Sequence, residues 1–370
     1  MIDRLSDFLN AIQLKLFPFL EENLITLLDS HRKCITTLEL VKIEKFIPFN
    51  NGWRGRPPYQ RASIARAFVI KAVLNITTVA YLRDRILADI TLRRICGWDS
   101  IRQVPSESTF SRAFKEFAEN KLPERVHEIL IKQVYEQSLV THLSRDSTDI
   151  PARERPQKKI KNKDLKDCKK RGLKSKHDGK CEKQKTQNLE EILSEISTHC
   201  DFGSKKSSGG HRYSWIGYKF HVDVTEESIP ITCKLTSASV NDSLLAIPLS
   251  TISSQKVNVL YEIMDKGYYV DAISTFIEEK GRKSIICKCP KTTKGKEALE
   301  QEELAKKVLN WAPAEDIRFK HRTSVERFNS NLKDNFGGRG IRVRGSQKIF
   351  CHLMFSVLAL SASYILRLNC

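Results

Sequence analysis

The chain of 370 residues carries 63 Lys and Arg against 44 Asp and Glu, which gives a formal net charge of +19. Its length suffices for one large domain or two ordinary ones, and a hydrophobic content of 40% is typical of a soluble globular protein. The charge imbalance favours a polyanionic partner, with nucleic acid as the first candidate and an anionic membrane surface as the weaker alternative.

The ten cysteines are spread irregularly and form no CxxC pair, and the start, MIDRLSDFLN, is too charged for a secretory signal peptide. We therefore expect reduced cytosolic thiols rather than a disulfide framework. One group of residues is an alternative zinc site, although its spacing fits no common zinc pattern: Cys168, His177, Cys181, His199 and Cys200.

Helical periodicity dominates the first part of the chain. After a Gly- and Pro-rich break at 51–60, apolar residues recur at helical spacing through 63–98, and a further amphipathic helix is predicted within 104–120. The positions predicted to be buried in the first run are Ile64, Phe68, Ile70, Leu74, Leu82, Ile86 and Ile90. The pattern predicts an all-helical domain over residues 1–138 and a second domain over 139–370.

The second domain begins with a predicted strand, LVTHLSRDSTDI (139–150), which ends in acidic residues. Asp146 is the candidate functional carboxylate, and Asp149 is the alternative in the other register. A basic segment follows at 153–187, with 15 Lys or Arg and five Asp or Glu. Its composition predicts a flexible loop, inside an insertion of about 153–210, that either lies along bound DNA or has no specific role.

Strand patterns resume at 214–239, where two β-rich runs flank the turn TEES and predict a hairpin. Asp242 comes next, and we interpret it as a cap or structural residue. A second strand pattern ends just before Asp265, and a turn and a helix follow. Because ligands gather beyond the carboxyl ends of strands in α/β sheets, Asp265 is the second candidate carboxylate, with a structural turn residue as the alternative.

A helix is predicted over FKHRTSVERFNSNLK (319–333), with Glu326 outside its apolar face. Three basic residues lie close to Glu326 along the chain: Arg322, Arg327 and Lys333. The pattern is typical of a site where a carboxylate binds a divalent cation and the basic residues bind phosphate. The alternative is a capping box, in which Thr323 caps the helix and Glu326 completes the motif.

The last stretch, residues 348–368, is almost continuously apolar and about as long as a membrane span. His352 and Arg367 argue against a membrane helix. We expect this helix to be buried against the sheet of the same chain.

Several of these motifs resemble those of bacterial insertion-sequence DDE transposases of the IS4/IS5 type. Phe319, Arg322, Glu326 and Lys333 match the family signature Y-(2)-R-(3)-E-(6)-K, with Phe in place of Tyr. DST at 146–148 and MDKGYY at 264–269 resemble the two motifs that carry the other acids. In the first domain, GRPPY, LRRICGWD and STFSRAF are similar to the family's helical N-terminal domain.

The resemblance implies an RNase H-like α/β fold, a mixed sheet flanked by helices, preceded by an all-α DNA-binding domain that recognises the terminal repeats, for example by a helix-turn-helix. The alternative for this first domain is a helical bundle that serves dimerisation. It assigns Asp146, Asp265 and Glu326 as catalytic residues and ligands of Mg²⁺ or Mn²⁺, as two ions. Arg322, Lys333, Arg327 and Lys266 are the expected DNA-binding residues.

The implied function is cleavage and strand transfer of double-stranded DNA at the terminal inverted repeats of an insertion sequence. A homodimer in the DNA complex, a bacterial cytoplasmic, nucleoid-associated location and no membrane partner follow from that assignment. Three alternatives stay open: a sequence-specific DNA-binding protein, an RNase H-like nuclease without strand transfer, and a decayed transposase.

Overall fold

The computed structural model describes residues 11–23, 27–48, 59–135, 138–156, 176–206, 210–288 and 293–368. The chain divides into two compact units, one formed by residues 1–136 with 330–370 and the other by residues 137–329. The division into domains 1–138 and 139–370 stays a prediction. The compact units differ from it because residues 330–370 join the N-terminal helices.

The helices of the N-terminal part are α1 (Phe17–Asn23), α2 (Asp29–Val41), α3 (Arg61–Val73), α4 (Val79–Ala88), α5 (Ile90–Cys96), α6 (Glu107–Glu119) and α7 (Leu122–Tyr135). The next elements are β1 (Leu139–Pro151), α8 (Lys176–Gln184), α9 (Leu189–Glu195), β2 (Asp201–Lys206), β3 (Arg212–Thr225), β4 (Pro230–Ser237), α10 (Ala246–Ser254), β5 (Asn258–Met264), α11 (Asp271–Glu279) and β6 (Lys283–Ile286). The last helices are α12 (Thr293–Val308), α13 (Ala314–Phe319), α14 (Thr323–Asn335) and α15 (Ser346–Arg367).

The long apolar helix α15 forms the centre of the first unit, where it packs against α2, α3, α6 and α7. The ring of Phe355 lies 5.5 Å from that of Phe68, which in turn lies 4.9 Å from Phe114. Among the described residues, α15 is the one helix long and apolar enough to cross a membrane, yet 78% of its most apolar window is buried. The expectation that it lies against the sheet is wrong, because apolarity predicts burial but not the surface that provides it.

The helical periodicity of the N-terminal region is confirmed by α3 to α6, which cover the predicted ranges. Ile64, Leu82 and Ile86 are fully buried, as their spacing predicts. Ile90 is an exception with 46% of its surface exposed. The helical periodicity is interrupted at Asp89, between α4 and α5. The Asp89 side chain accepts a hydrogen bond from the Leu92 amide and caps the start of α5, so Ile90 does not continue the buried face of α4.

The second unit is built on a mixed sheet of six strands in the order β2-β3-β1-β5-β6, with β4 also paired to β3. β1 runs antiparallel to β3 and parallel to β5, and β5 runs parallel to β6. The predicted hairpin is confirmed as β3 and β4, joined at 226–229. The α/β class with a mixed sheet flanked by helices is confirmed, and it is consistent with an RNase H-like fold.

Two details of the second unit differ from the sequence-based expectations. β1 does not end at the acids: its ladder with β3 continues to Pro151, so Asp146 lies inside the strand rather than after it. Part of the predicted flexible basic loop is helical, because Lys176–Gln184 forms α8. Residues 157–175 of that loop lie outside the described residues, as do 49–58 with most of the GRPPY motif.

A buried ionic network is centred on Arg145, the residue that precedes Asp146 on β1. Arg145 is 1% exposed and donates two hydrogen bonds to Asp223, at 2.7 and 2.8 Å. Its guanidinium also lies 3.1 Å from Glu262, which is paired with Arg282. The charges of two cations and two carboxylates therefore balance, and their ion pairs connect β1, β3 and β5.

Candidate active site

Asp146 lies on the central strand β1, between β3 and β5, with 22% of its side chain exposed. Burial raises the pKa of the Asp146 carboxyl to about 6, and the Arg322 guanidinium is the largest influence that opposes this rise. A buried carboxyl with a raised pKa gains stability in its charged form when a cation binds next to it. This residue is therefore suited to a cation site.

Asp265 follows the neighbouring strand β5 at the same level. Arg145 of β1 pairs with Met264 of β5 in parallel register. The residues that follow them, Asp146 within β1 and Asp265 just after β5, therefore lie side by side. The Asp265 carboxylate accepts a hydrogen bond of 2.7 Å from the Lys266 amide and caps a short 3₁₀-helix, Lys266–Tyr268. This cap fixes the orientation of a side chain that is 41% exposed.

Glu326 is on the first turn of α14, and its carboxylate bonds the Arg322 guanidinium at 2.5 Å. The capping box that the sequence also allowed is wrong. Thr323 has helical backbone angles, because α14 continues directly from the 3₁₀-helix Lys320–Arg322, and its hydroxyl donates to the Lys320 carbonyl. The helix thus leaves Glu326 available to the site.

The Arg322 guanidinium brings the three predicted acids together. It lies 3.7 Å from Asp146, 3.8 Å from Asp265 and 2.5 Å from Glu326. The three carboxylates come from a strand, a strand end and a helix, and one cation contacts all of them. Within the described part of the chain, Nε of Arg322 is buried without a hydrogen-bond partner, so this cation is incompletely bonded where it lies.

The composition of this cluster fits a divalent cation. Three carboxylates carry up to three negative charges and face a single guanidinium, which leaves an excess of negative charge. Hard oxygen ligands of this kind are the ones that Mg²⁺ and Mn²⁺ prefer in proteins. Asp146, Asp265 and Glu326 are the residues that could hold such an ion.

Of the two acids that the sequence analysis set aside, Asp149 lies on the other face of the sheet, whereas Asp242 lies close enough to Asp146 for its charge to contribute to the raised pKa of the Asp146 carboxyl. Asp149 is three residues after Asp146 and so points to the opposite face of the sheet, where it interacts with Tyr213. Asp242 is paired with Lys219 at 2.9 Å, and this cation contributes to lowering the pKa of Asp242 against the effect of burial. The neighbouring Asn241, rather than Asp242, caps the following 3₁₀-helix.

The predicted DNA-binding cations have different surroundings. Arg322 contacts the acids, whereas the Arg327 guanidinium donates to the Ser228 hydroxyl at 3.4 Å, in the turn between β3 and β4. Lys266 is exposed beside Asp265. Lys333 is on the part of α14 that belongs to the first unit. The DNA-binding roles of these four residues stay predictions.

Lys205 is a residue of this site that the sequence analysis missed. It lies on the edge strand β2, its ammonium donates to the Ser147 carbonyl at 3.2 Å, and its charge lowers the pKa of Asp146. The same ammonium lies 6.0 Å from the ring of Trp215. A signal was present, since DFGSKK is a short strand-like run before RYSWIGY, but these residues were assigned to the insertion as a whole.

The alternative zinc group has no support among the residues that the structure describes. Cys181 is fully buried in an apolar cluster with Ile192 and Ile273. The Cys200 thiol lies 4.0 Å from the Glu154 carbonyl. Cys168 and the His177 side chain are outside the described residues.

The mixed sheet flanked by helices is consistent with an RNase H-like protein. Comparison with known families identifies the class more closely. A family model described as the transposase DDE domain matches residues 141–362, and a second, described as a transposase domain, matches residues 21–116. Because the first match spans more than half of the chain, the chain belongs to the DDE transposase family. No curated protein and no solved structure matches the chain.

Family membership establishes the general function. The protein is a DNA transposase, an enzyme that catalyses DNA cleavage and strand transfer, and it uses a divalent metal. DNA is therefore its partner, in agreement with the net charge of +19. The assignment to the IS4/IS5 subtype stays a prediction.

Proposed function

We propose that Asp146, Asp265 and Glu326 are the catalytic carboxylates and that they hold Mg²⁺ or Mn²⁺, as two ions. The DNA substrate is then the pair of terminal inverted repeats of an insertion sequence, together with the target DNA. The observation that carries the proposal is the convergence of the three carboxylates on the Arg322 guanidinium, within 3.8 Å in each case.

Bound metal ions would activate the attacking oxygen and stabilise the leaving 3′ oxygen in an in-line displacement at phosphorus. In the first reaction a water oxygen forms the new bond to phosphorus and the 3′ oxygen leaves, which frees a 3′-hydroxyl. In the second, that hydroxyl loses its proton, bonds to a phosphorus of the target strand and displaces the target's own 3′ oxygen. The three carboxylates position the metal ions for both steps.

Arg322 has a second task in this proposal. Its guanidinium partly neutralises the carboxylates while they hold no metal ion, and it becomes available to a DNA phosphate once metal ions replace it. A guanidinium can exchange a carboxylate partner for a phosphate partner because it forms bidentate hydrogen bonds with both groups. Lys205, whose charge acts on Asp146, and Lys266, which directly follows Asp265, would bind the DNA backbone. Arg327 and Lys333 are the other two proposed DNA-binding residues.

The remaining parts of the proposal concern assembly and location. A homodimer would hold both element ends in one complex, and the first unit would recognise the terminal repeats. The protein would act in the bacterial cytoplasm, associated with the nucleoid, where its substrate is. Burial of α15 inside the first unit supports a role without membrane insertion.

The test is incubation of the purified protein with supercoiled plasmid that carries the candidate element ends, in Mg²⁺ or in EDTA. We expect nicks at the element ends and joined products in Mg²⁺, and neither in EDTA. Nicks without joined products would indicate a nuclease. DNA binding without nicks in any metal would indicate a DNA-binding protein or a decayed transposase.

A further inference from the structure

A second group of potential metal ligands lies in the second unit, away from the three acids. It consists of His142 on β1, Glu226 in the turn after β3, and His321 on the 3₁₀-helix Lys320–Arg322. One ligand atom from each of these residues lies within 4.8 Å of the others. None of the three has a role in the proposed catalytic site.

The Glu226 carboxylate connects the two histidines. One of its oxygens bonds Nδ1 of His142, and the other lies 3.8 Å from Nδ1 of His321. The two imidazole rings are stacked, with their centroids 4.3 Å apart and their planes at 14°. The carboxylate therefore interacts with both rings, and two imidazoles share a single negative charge.

The cluster is reachable from solvent although His142 is buried. The His142 side chain is 9% exposed and its ring is also stacked on that of Tyr261, with centroids 5.2 Å apart. His321 and Glu226 are 40% and 31% exposed, so an ion can reach the cluster from solvent. The Nδ1 atoms of both histidines face the Glu226 carboxylate, which brings two nitrogen donors and one carboxylate together at this position.

We propose that His142, Glu226 and His321 bind a transition-metal ion of the Zn²⁺ type, at a site separate from the three catalytic carboxylates. Two imidazoles with one carboxylate form a donor set that Zn²⁺ prefers, with water as a fourth ligand, whereas Mg²⁺ favours oxygen ligands. In tetrahedral Zn²⁺ sites the ligand atoms are about 3.3 Å apart. The three donor atoms lie within 4.8 Å of one another, so they would have to approach by up to about 1.5 Å to reach that spacing. One imidazole would also have to rotate out of the stack, because the Nδ1 lone pairs of two nearly parallel rings do not point at a common ion.

The two sites are at different levels of the same sheet. His142 and Asp146 are four residues apart on one face of β1, which corresponds to roughly 13 Å. His321 directly precedes Arg322, and its carbonyl accepts a hydrogen bond of 3.1 Å from Ser144 of β1. An ion bound here would fasten the segment that carries Arg322 and Glu326 to the strand that carries Asp146, so its role is to position the catalytic helix.

The test is a calorimetric titration of the full-length, metal-free protein with Zn²⁺, repeated with Co²⁺ to record the visible spectrum of a tetrahedral ion. The test variants are His321→Ala and Glu226→Gln, both at partly exposed positions. His211→Ala, an exposed histidine outside the cluster, is the matched control. Asp265→Asn is a second control because it changes the catalytic carboxylates and leaves the cluster intact.

We expect wild-type protein and both controls to bind one tight equivalent of Zn²⁺ with the same affinity and to gain in Tm; weaker binding at the catalytic carboxylates is reduced by Asp265→Asn alone. His321→Ala and Glu226→Gln should lose about 100-fold or more in affinity at the tight site, since removal of a direct ligand costs at least as much as removal of an outer-shell partner. Circular dichroism of the metal-free variants separates this loss from unfolding. Tight, tetrahedral binding that survives both variants, or that disappears in Asp265→Asn, would overturn the proposal, and so would an absence of tight binding by the wild type.

Discussion

Arg322 and Glu326, one helical turn apart, form an ion pair with a nitrogen-to-oxygen distance of 2.5 Å, and the same guanidinium lies within 3.8 Å of Asp146 and Asp265. A tethered cation therefore occupies the centre of the carboxylate cluster. The cluster is thus partly neutralised by its own chain, and metal ions that bind at the proposed site would compete with Arg322.

This competition predicts that Arg322→Gln increases the affinity for Mn²⁺ by about fivefold, equivalent to about 1 kcal/mol for a partly exposed charge. The same change should lower DNA cleavage, because the phosphate loses its guanidinium partner. Calorimetry or Mn²⁺ spin resonance measures the first effect. Arg327→Gln is the matched control, since that guanidinium bonds Ser228, and it should leave Mn²⁺ affinity unchanged. Weaker Mn²⁺ binding by Arg322→Gln would contradict the competition.

Lys205 predicts a specific salt effect. If its ammonium binds a DNA phosphate beside Asp146, then Lys205→Ala should weaken DNA binding at low salt and reduce the slope of log affinity against log salt by about one. Fluorescence anisotropy with a labelled element end measures both quantities. Lys283→Ala on the opposite edge strand β6, where the ammonium is paired with Glu278, should leave the slope unchanged. An unaltered slope in Lys205→Ala would remove this residue from the DNA-binding surface.

The buried network around Arg145 predicts a large loss of stability in Arg145→Met. That change leaves Asp223 and Glu262 buried with one fewer cation, which typically costs about 3–5 kcal/mol in the free energy of unfolding. Chemical denaturation measures the loss. Lys183→Met, which breaks the exposed pair with Glu195, is the control and should change the stability little. A similar small loss in both variants would show that the network does not stabilise the strand register.

His221 predicts a pH dependence of stability. Burial lowers the pKa of this fully buried histidine from 6.5 to about 4. Because the folded-state pKa is the lower one, the unfolded state binds the proton first. The stabilising contribution is therefore present above pH 6.5 and is lost as the pH falls toward 4.

Removal of this group should flatten the acid side of the stability profile. His221→Gln should lose about 2–3 kcal/mol less than the wild type between neutral pH and pH 4. Unfolding curves at several pH values provide the comparison. His211→Gln, at an exposed position, should keep the wild-type profile. Parallel profiles for the wild type and His221→Gln would contradict the assigned cause.

The sequence predicts local features of this protein better than its long-range pairings. The strand patterns predicted β1 and β5, so Asp146 and Asp265 could each be expected at the end of a strand, although β1 continues beyond Asp146 to Pro151. Helical spacing located Glu326. The residue that pairs with Glu326 was harder to predict, because the sequence fits both an ion pair with Arg322 and a capping box with Thr323. The structure favours Arg322, since the chain is continuously helical through 320–323 and Thr323 is not an N-cap.

Features that depend on distant segments were missed for a physical reason. Lys205 reaches the site because β2 pairs with β3, and no local pattern encodes which strands become neighbours. The same holds for His142, Glu226 and His321, which come from three separated segments. For α15, the apolar run predicted that the helix is buried, but not which helices surround it.

The most direct measurement compares plasmid nicking at the element ends by the wild type and by Asp146→Asn, Asp265→Asn and Glu326→Gln, each in Mg²⁺ and in EDTA. Glu315→Gln, an exposed acid on α13, is the control for the loss of one charge. We predict metal-dependent nicking by the wild type and the control, none by the three variants, and nearly equal DNA binding by all. Nicking that persists in any of the three variants would contradict the assignment of these carboxylates as the catalytic centre.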